Sequence, residues 1–114
     1  MRALKTTLAA LSALALLAGP GAAETSKRPQ VSRSASEIAC LAEAIYFEAG
    51  GTGAKGEAAV AHVIVNRAQD RKFPNSVCGV VSDGCQFSYR CDGRSDALAD
   101  SRRRGHAMKV AQSV

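Results

Sequence analysis

The sequence predicts a small, mainly α (α+β) domain. Three stretches repeat apolar residues at helical spacing, glycine and proline breaks separate them, and four cysteines gather around a polar loop. The 114-residue chain opens with Met-Arg-Ala-Leu-Lys, an apolar run from Thr6 to Ala18 and then Gly-Pro-Gly-Ala-Ala, the pattern of a secretory signal peptide. Gly21 and Ala23 supply the small residues of a cleavage site, so residues 1–23 are expected to be removed before Glu24. The apolar run is about a dozen residues, short of the roughly 20 that span a bilayer. A lasting transmembrane anchor is therefore not expected. The whole chain carries a net charge of +5, and loss of Arg2 and Lys5 takes it to +3, too mild to argue for nucleic acid.

Residues 24–35, rich in Ser, Lys, Arg and Pro, read as a flexible linker. Ser34-x-x-Glu37 is a capping-box pattern, with Ser36 an equally good cap, and Ile38, Leu41, Ala42, Ile45 and Ala49 follow at helical spacing. This predicts a first helix over 36–49. Gly50-Gly51-Thr52-Gly53 ends it, because consecutive glycines cost a helix entropy and enter left-handed conformations readily. A second helix is predicted over 54–67. Ala59, Val60, Val63 and Ile64 give it an apolar stripe, widened by Ala61 and Val65, that predicts burial on most sides.

Phe73-Pro74-Asn75 breaks this pattern. Val77 to Val81 and the Cys-bounded Gly84 to Gly93 allow a small hairpin or loop region. Ser95 is the expected cap of a third helix, in which Ala107, Val110, Ala111 and Val114 form the apolar face. That stripe runs to the last residue, so the domain is expected to be incomplete at its C-terminus.

Cys40, Cys78, Cys85 and Cys91 are an even set in a chain expected to be exported, which predicts two disulfides. Of the three pairings, Cys85–Cys91 as a loop clasp and Cys40–Cys78 as a staple between helix and loop are favoured. A zinc site is the competing reading, but no paired CxxC is present and both histidines are isolated, so neither metal nor cofactor is expected.

Glu48 is the most informative candidate. At about 100° per residue it lies about 20° from Leu41 and 60° from Ile45 around the helix, which predicts a place on the buried edge. It also falls in the last turn, at the negative end of the helix dipole. Burial and dipole together disfavour the carboxylate and would keep a proton available, as a general acid requires. Tyr46 and Phe47 offer flat surfaces suited to sugar rings. Glu43, on the far side of the helix, is expected to be a solvent-face charge, and Glu57 to sit favourably at the start of the second helix. Asp92 reads as a turn residue and His62 as a core or boundary histidine; His106 follows a glycine in a basic stretch. No GxSxG, HExxH, GxGxxG or P-loop occurs.

Four blocks come in order: Cys40-Leu-Ala-Glu-Ala-Ile-Tyr-Phe-Glu48-Ala, Gly56-Glu-Ala-Ala-Val-Ala-His-Val-Ile-Val-Asn66-Arg67, Phe73-Pro-Asn-Ser-Val-Cys78-Gly-Val-Val and Cys85-Gln-Phe-Ser-Tyr-Arg-Cys91-Asp-Gly93. Together they resemble the SleB-like cell-wall hydrolases, the family of spore-cortex-lytic enzymes. The resemblance implies a lysozyme-like catalytic domain over residues 36–114 that acts on peptidoglycan glycan strands. It makes Glu48 the general acid/base of a lytic transglycosylation between N-acetylmuramic acid and N-acetylglucosamine. It further makes Gln86 and Phe87 cleft residues and Asn66 a scaffold residue that fixes the turn after the second helix. One carboxylate suffices in such a scheme, because the substrate's acetamido group can stabilise the oxocarbenium-like centre.

Two departures from the pattern stand out. Where relatives read Glu-Ala-Arg-Gly-Glu, this chain reads Glu48-Ala49-Gly50-Gly51-Thr52, and the later His-containing segment and Pro-x-Trp are absent. The far wall of the cleft is therefore expected to be missing. A non-catalytic peptidoglycan-binding module is the main alternative, and an N-acetylmuramoyl-L-alanine amidase is a third reading that would call for a metal-bound water. The expected protein is a secreted or periplasmic, cell-wall-associated monomer with peptidoglycan as its partner.

Overall fold

The computed structural model describes residues 33–114, so the expected leader and most of the expected linker lie outside the described residues. Four α-helices, α1 (Ala35–Ala49), α2 (Ala54–Gln69), α3 (Val77–Val81) and α4 (Ser101–Ser113), and a 3-10 turn at Ser88–Cys91 make up the fold. The three long helices match the predicted stretches. No strand occurs among the described residues, and none of their helices is long and apolar enough to cross a membrane. The stretch allowed as a hairpin is instead α3, a loop and the 3-10 turn.

The first helix is enclosed by the other three, and Leu41, Ala42, Ala44 and Ile45 are fully buried within it. Three alanines among its six buried residues let neighbouring backbones approach closely. Ile64 of α2, Val80 and Val81 of α3, and Ala107 and Ala111 of α4 complete the core. Val110 and Val114 pack against it, so the predicted stripe of the third long helix is realised.

Ser34 caps α1, accepting the Glu37 N–H at 3.3 Å. The Glu37 carboxylate does not close the reciprocal half of a capping box. It reaches the start of α3, where Oε2 accepts the Val77 N–H and Oε1 accepts the Cys78 N–H. The Cys40–Cys78 disulfide ties the same two helices, and Cys85–Cys91 closes the following loop. Both favoured pairings are thus present.

α4 begins six residues beyond Ser95. The Ser95 hydroxyl is engaged in a local turn, accepting the Ala97 N–H at 3.2 Å. Asp100 caps the helix instead, its carboxylate accepting the Arg102 and Arg103 N–H groups at 3.0 Å each. The Asp100 N–H in turn donates to the Tyr46 hydroxyl at 3.0 Å, which anchors the start of α4 on α1.

Removal of the Glu37 carboxylate leaves two N–H groups at the start of α3 without their acceptor. Glu37→Ala is expected to lower stability by about 1–3 kcal/mol. Urea unfolding should show a lower midpoint at an unchanged slope.

Candidate active site

Glu48 leaves the last turn of α1 and joins Gln86 and Phe87 of the disulfide-closed loop in one surface groove of about 310 Å³. Ala59, Val60, Val63 and Arg67 of α2 form the rest of its lining. Three of the residues singled out in the sequence are therefore brought together, although 38 positions separate Glu48 from Gln86.

The groove revises the expected burial. Glu48 is exposed, and its carboxylate takes part in no hydrogen bond or ion pair among the described residues. A helical wheel locates it at the margin of the buried face, but α1 ends there and the described residues leave its side chain uncovered. Likewise α2 is not buried on most sides. Ala61, Ile64 and Val65 enter the core, whereas Ala59 is exposed and Val63 remains 46% exposed on the groove. Periodicity locates an apolar face without saying whether protein covers it.

Tyr46 and Phe47 do not line the groove. Tyr46 is buried, its hydroxyl is used by Asp100, and the Arg103 guanidinium lies 4.7 Å from its ring centroid. Phe47 is half-buried, stacked on Tyr89 with centroids 4.6 Å apart and edge-on to Tyr46 at 4.9 Å. Both rings are packed against protein.

The loop that delivers Gln86 and Phe87 is held by a cluster centred on Glu43, which is more than the solvent-face charge expected of it. Its Oε1 accepts from the Tyr89 hydroxyl at 3.0 Å and from Arg90 Nη1 at 2.9 Å. Burial, reinforced by the adjacent carboxylate, pushes the Tyr89 phenol well above its ordinary value. Phe87 is buried, and the Arg67 guanidinium lies 5.3 Å from the Phe73 ring centroid and 6.0 Å from that of Phe87. Ala59, Val60, Val63 and Arg67 are groove residues to which the sequence reading gave no cleft role. Their signal was present, since all four fall on one face of α2.

Other assignments shift. Asn66 is exposed and makes no side-chain hydrogen bond among the described residues; the turn after α2 is fixed by Asp70, whose carboxylate accepts the Lys72 N–H at 2.9 Å. His62 is exposed, not the core or boundary histidine expected. Asp92 is the turn residue expected, accepting the Arg94 N–H at 2.8 Å. Gly50 is required by close approach, because a Cβ there would collide with Arg103 and the Tyr46 carbonyl, while Gly51 and Gly53 carry the positive φ angles of 88° and 90°. Among the described residues no three His, Cys, Asp or Glu side chains form a group able to hold a metal ion.

Comparison with known proteins places the chain in a family. The profile of the cell wall hydrolase family matches residues 51–114, a span that begins just beyond Glu48. The chain belongs to that family. It is 43% identical over 61 residues to the spore cortex-lytic enzyme of Bacillus subtilis, an alignment covering 54% of this chain and 20% of that protein. The spore cortex-lytic enzyme of Halalkalibacterium halodurans is 37% identical over 71 residues, covering 62% of this chain and 22% of the relative. The chain thus spans about a fifth of the length of these curated relatives. No solved structure matches it.

The Tyr89 cluster makes a pH prediction. A phenol whose folded value is raised binds its proton more tightly in the folded state, so its contribution is intact below the unfolded value of about 10 and is lost as pH rises beyond it. Stability should therefore fall with rising pH above about 10, and Tyr89→Phe should flatten that fall. Denaturant unfolding of both proteins across this alkaline range measures the difference.

Proposed function

We propose that this chain cleaves peptidoglycan glycan strands between N-acetylmuramic acid and N-acetylglucosamine by lytic transglycosylation, with Glu48 as general acid/base. The observation that carries the reading is the convergence of Glu48, Gln86 and Phe87 on one groove. Its apolar wall of Ala59, Val60 and Val63 suits the faces of sugar rings, and the Gln86 carboxamide can both donate to and accept from an acetamido group. Membership of the cell wall hydrolase family and the printed names of the relatives agree with a peptidoglycan substrate.

In this scheme Glu48 gives its proton to the bridging oxygen as the C1–O bond breaks. The muramoyl 6-hydroxyl then attacks C1, its proton passes to Glu48, and a 1,6-anhydro ring closes. Proton and electron pairs balance without a second carboxylate or a cofactor, because the substrate's acetamido group stabilises the oxocarbenium-like centre. Glu48 is unpaired and open to solvent, so no protein contact must break before substrate approaches. We read the chain as a monomer exported by a leader over residues 1–23 and acting outside the cytoplasm; its two disulfides support that compartment.

A glycan-binding module without catalysis is the second reading, favoured by the exposure of Glu48. Mass spectrometry of soluble products from purified sacculi separates the two. Transglycosylation predicts anhydro-muramoyl products whose release falls about 10²- to 10⁴-fold in Glu48→Gln. Reducing-end products would replace transglycosylation by hydrolysis, whereas co-sedimentation with sacculi and no soluble product would leave only the binding module.

A further inference from the structure

A second cavity, also about 310 Å³, lies on another side of α2 between the glycine connection and the first turns of α4. Its lining includes Gly51, Gly53, Glu57, Arg102, Arg103 and His106. Glu57 is only 6% exposed, yet its carboxylate has no hydrogen bond or ion pair among the described residues. Across the cavity, Arg103 donates through Nη2 to the Tyr46 carbonyl at 3.1 Å, while its Nε is buried with no acceptor. The cavity lining thus sets a largely buried, unpaired carboxylate near the side chains of Arg102 and Arg103. The α2 N-terminus places a favourable field on Glu57, but Gly53 provides no side-chain cap and no donor is seated on the carboxylate. Arg102, Arg103 and Arg104 also crowd the N-terminal turn of α4, the end of a helix at which cations are disfavoured.

We infer that this cavity is a subsite for a free α-amino-acid group, an ammonium and a carboxylate on one carbon, carried by the peptide stem of peptidoglycan. The ammonium pairs with Glu57, and the carboxylate with Arg102 and Arg103. A simple anion would meet the arginines only by facing the Glu57 charge, and a simple cation would leave Arg102 without an acceptor. The inference rests on the peptidoglycan reading of the first groove. Glu48 and Gly51 border the two cavities and are three residues apart, a separation of at most about 11 Å. A stem of three residues, at about 3.3–3.6 Å each, covers that distance from a muramoyl ring held in the groove. The third residue of a stem built with a diamino-dicarboxylic acid carries the required group on its side chain.

The test titrates the oxidised full chain with three probes and follows its amide resonances by NMR. The probes are L-Ala-γ-D-Glu-meso-diaminopimelate, the same peptide with the side-chain carboxylate amidated, and a peptide-free glycan oligomer. The first peptide should shift Gly51, Gly53 and Ala54, and the glycan should shift Val63 and Gln86. Amidation, Glu57→Gln and Arg102→Gln should each weaken peptide binding about tenfold or more. Arg102 is exposed, so its variant decides the matter if Glu57→Gln fails to fold. Equal binding of the amidated peptide, unchanged affinity in Arg102→Gln, shifts confined to the first groove, or equal competition by inorganic phosphate would overturn the subsite. None of these outcomes bears on glycan cleavage, whose failure is read separately from the soluble products of sacculi.

Discussion

Burial of α1 among three other helices is the constraint on which the rest of the structure depends. Leu41, Ala42, Ala44 and Ile45 are fully enclosed, so α1 cannot shift without opening contacts to α2, α3 and α4 together. The helix emerges from this packing only at its C-terminal end, and Glu48 stands at that exit. The Tyr46 side chain, two residues earlier, locks the start of α4 through the Asp100 N–H and the Arg103 guanidinium. A rigid core thus presents an unpaired carboxylate at a defined place, as the proposed general acid chemistry requires of its scaffold.

Two kinds of link hold the loop side of the groove to that core. In the chain-entropy account, closure of the 38-residue separation between Cys40 and Cys78 contributes about 4 kcal/mol, against about 2 kcal/mol for the six-residue Cys85–Cys91 loop. The long closure contributes the more of the two, while the short one shapes the segment that carries Gln86 and Phe87. Glu37 and Glu43 add the orientation that a disulfide alone does not supply, one by satisfying the start of α3 and the other by gripping Tyr89 and Arg90. Neither role follows from helical periodicity, because each carboxylate acts on a segment about forty residues away.

The three long helices were legible because their apolar spacing is regular and their breaks are marked by glycine, proline and caps. The cysteine pairing was legible from loop lengths and the expected oxidising compartment. The start of α4 was not, since Ser95 and Asp100 are both competent caps and only the tertiary contact of Asp100 with Tyr46 decides between them. Tyr46 and Phe47 looked like sugar platforms because the sequence shows aromatic surface but not its neighbours; Arg103 and Tyr89 cover those rings. Glu57 read as an ordinary first-turn charge, and only the packing of α4 against α2 turns it into a buried group facing a cavity.

The groove unites residues from α1, α2 and the disulfide-closed loop, and the account stands or falls on whether a glycosidic oxygen reaches Glu48 within it. A crystal structure of the Glu48→Gln variant with a peptidoglycan tetrasaccharide tests this most directly. The account predicts sugar rings against Val60 and Val63, and a bridging oxygen about 3 Å from the substituted carboxamide. A saccharide bound along another face, or one in the groove with no bridging oxygen within hydrogen-bond reach of position 48, would contradict it.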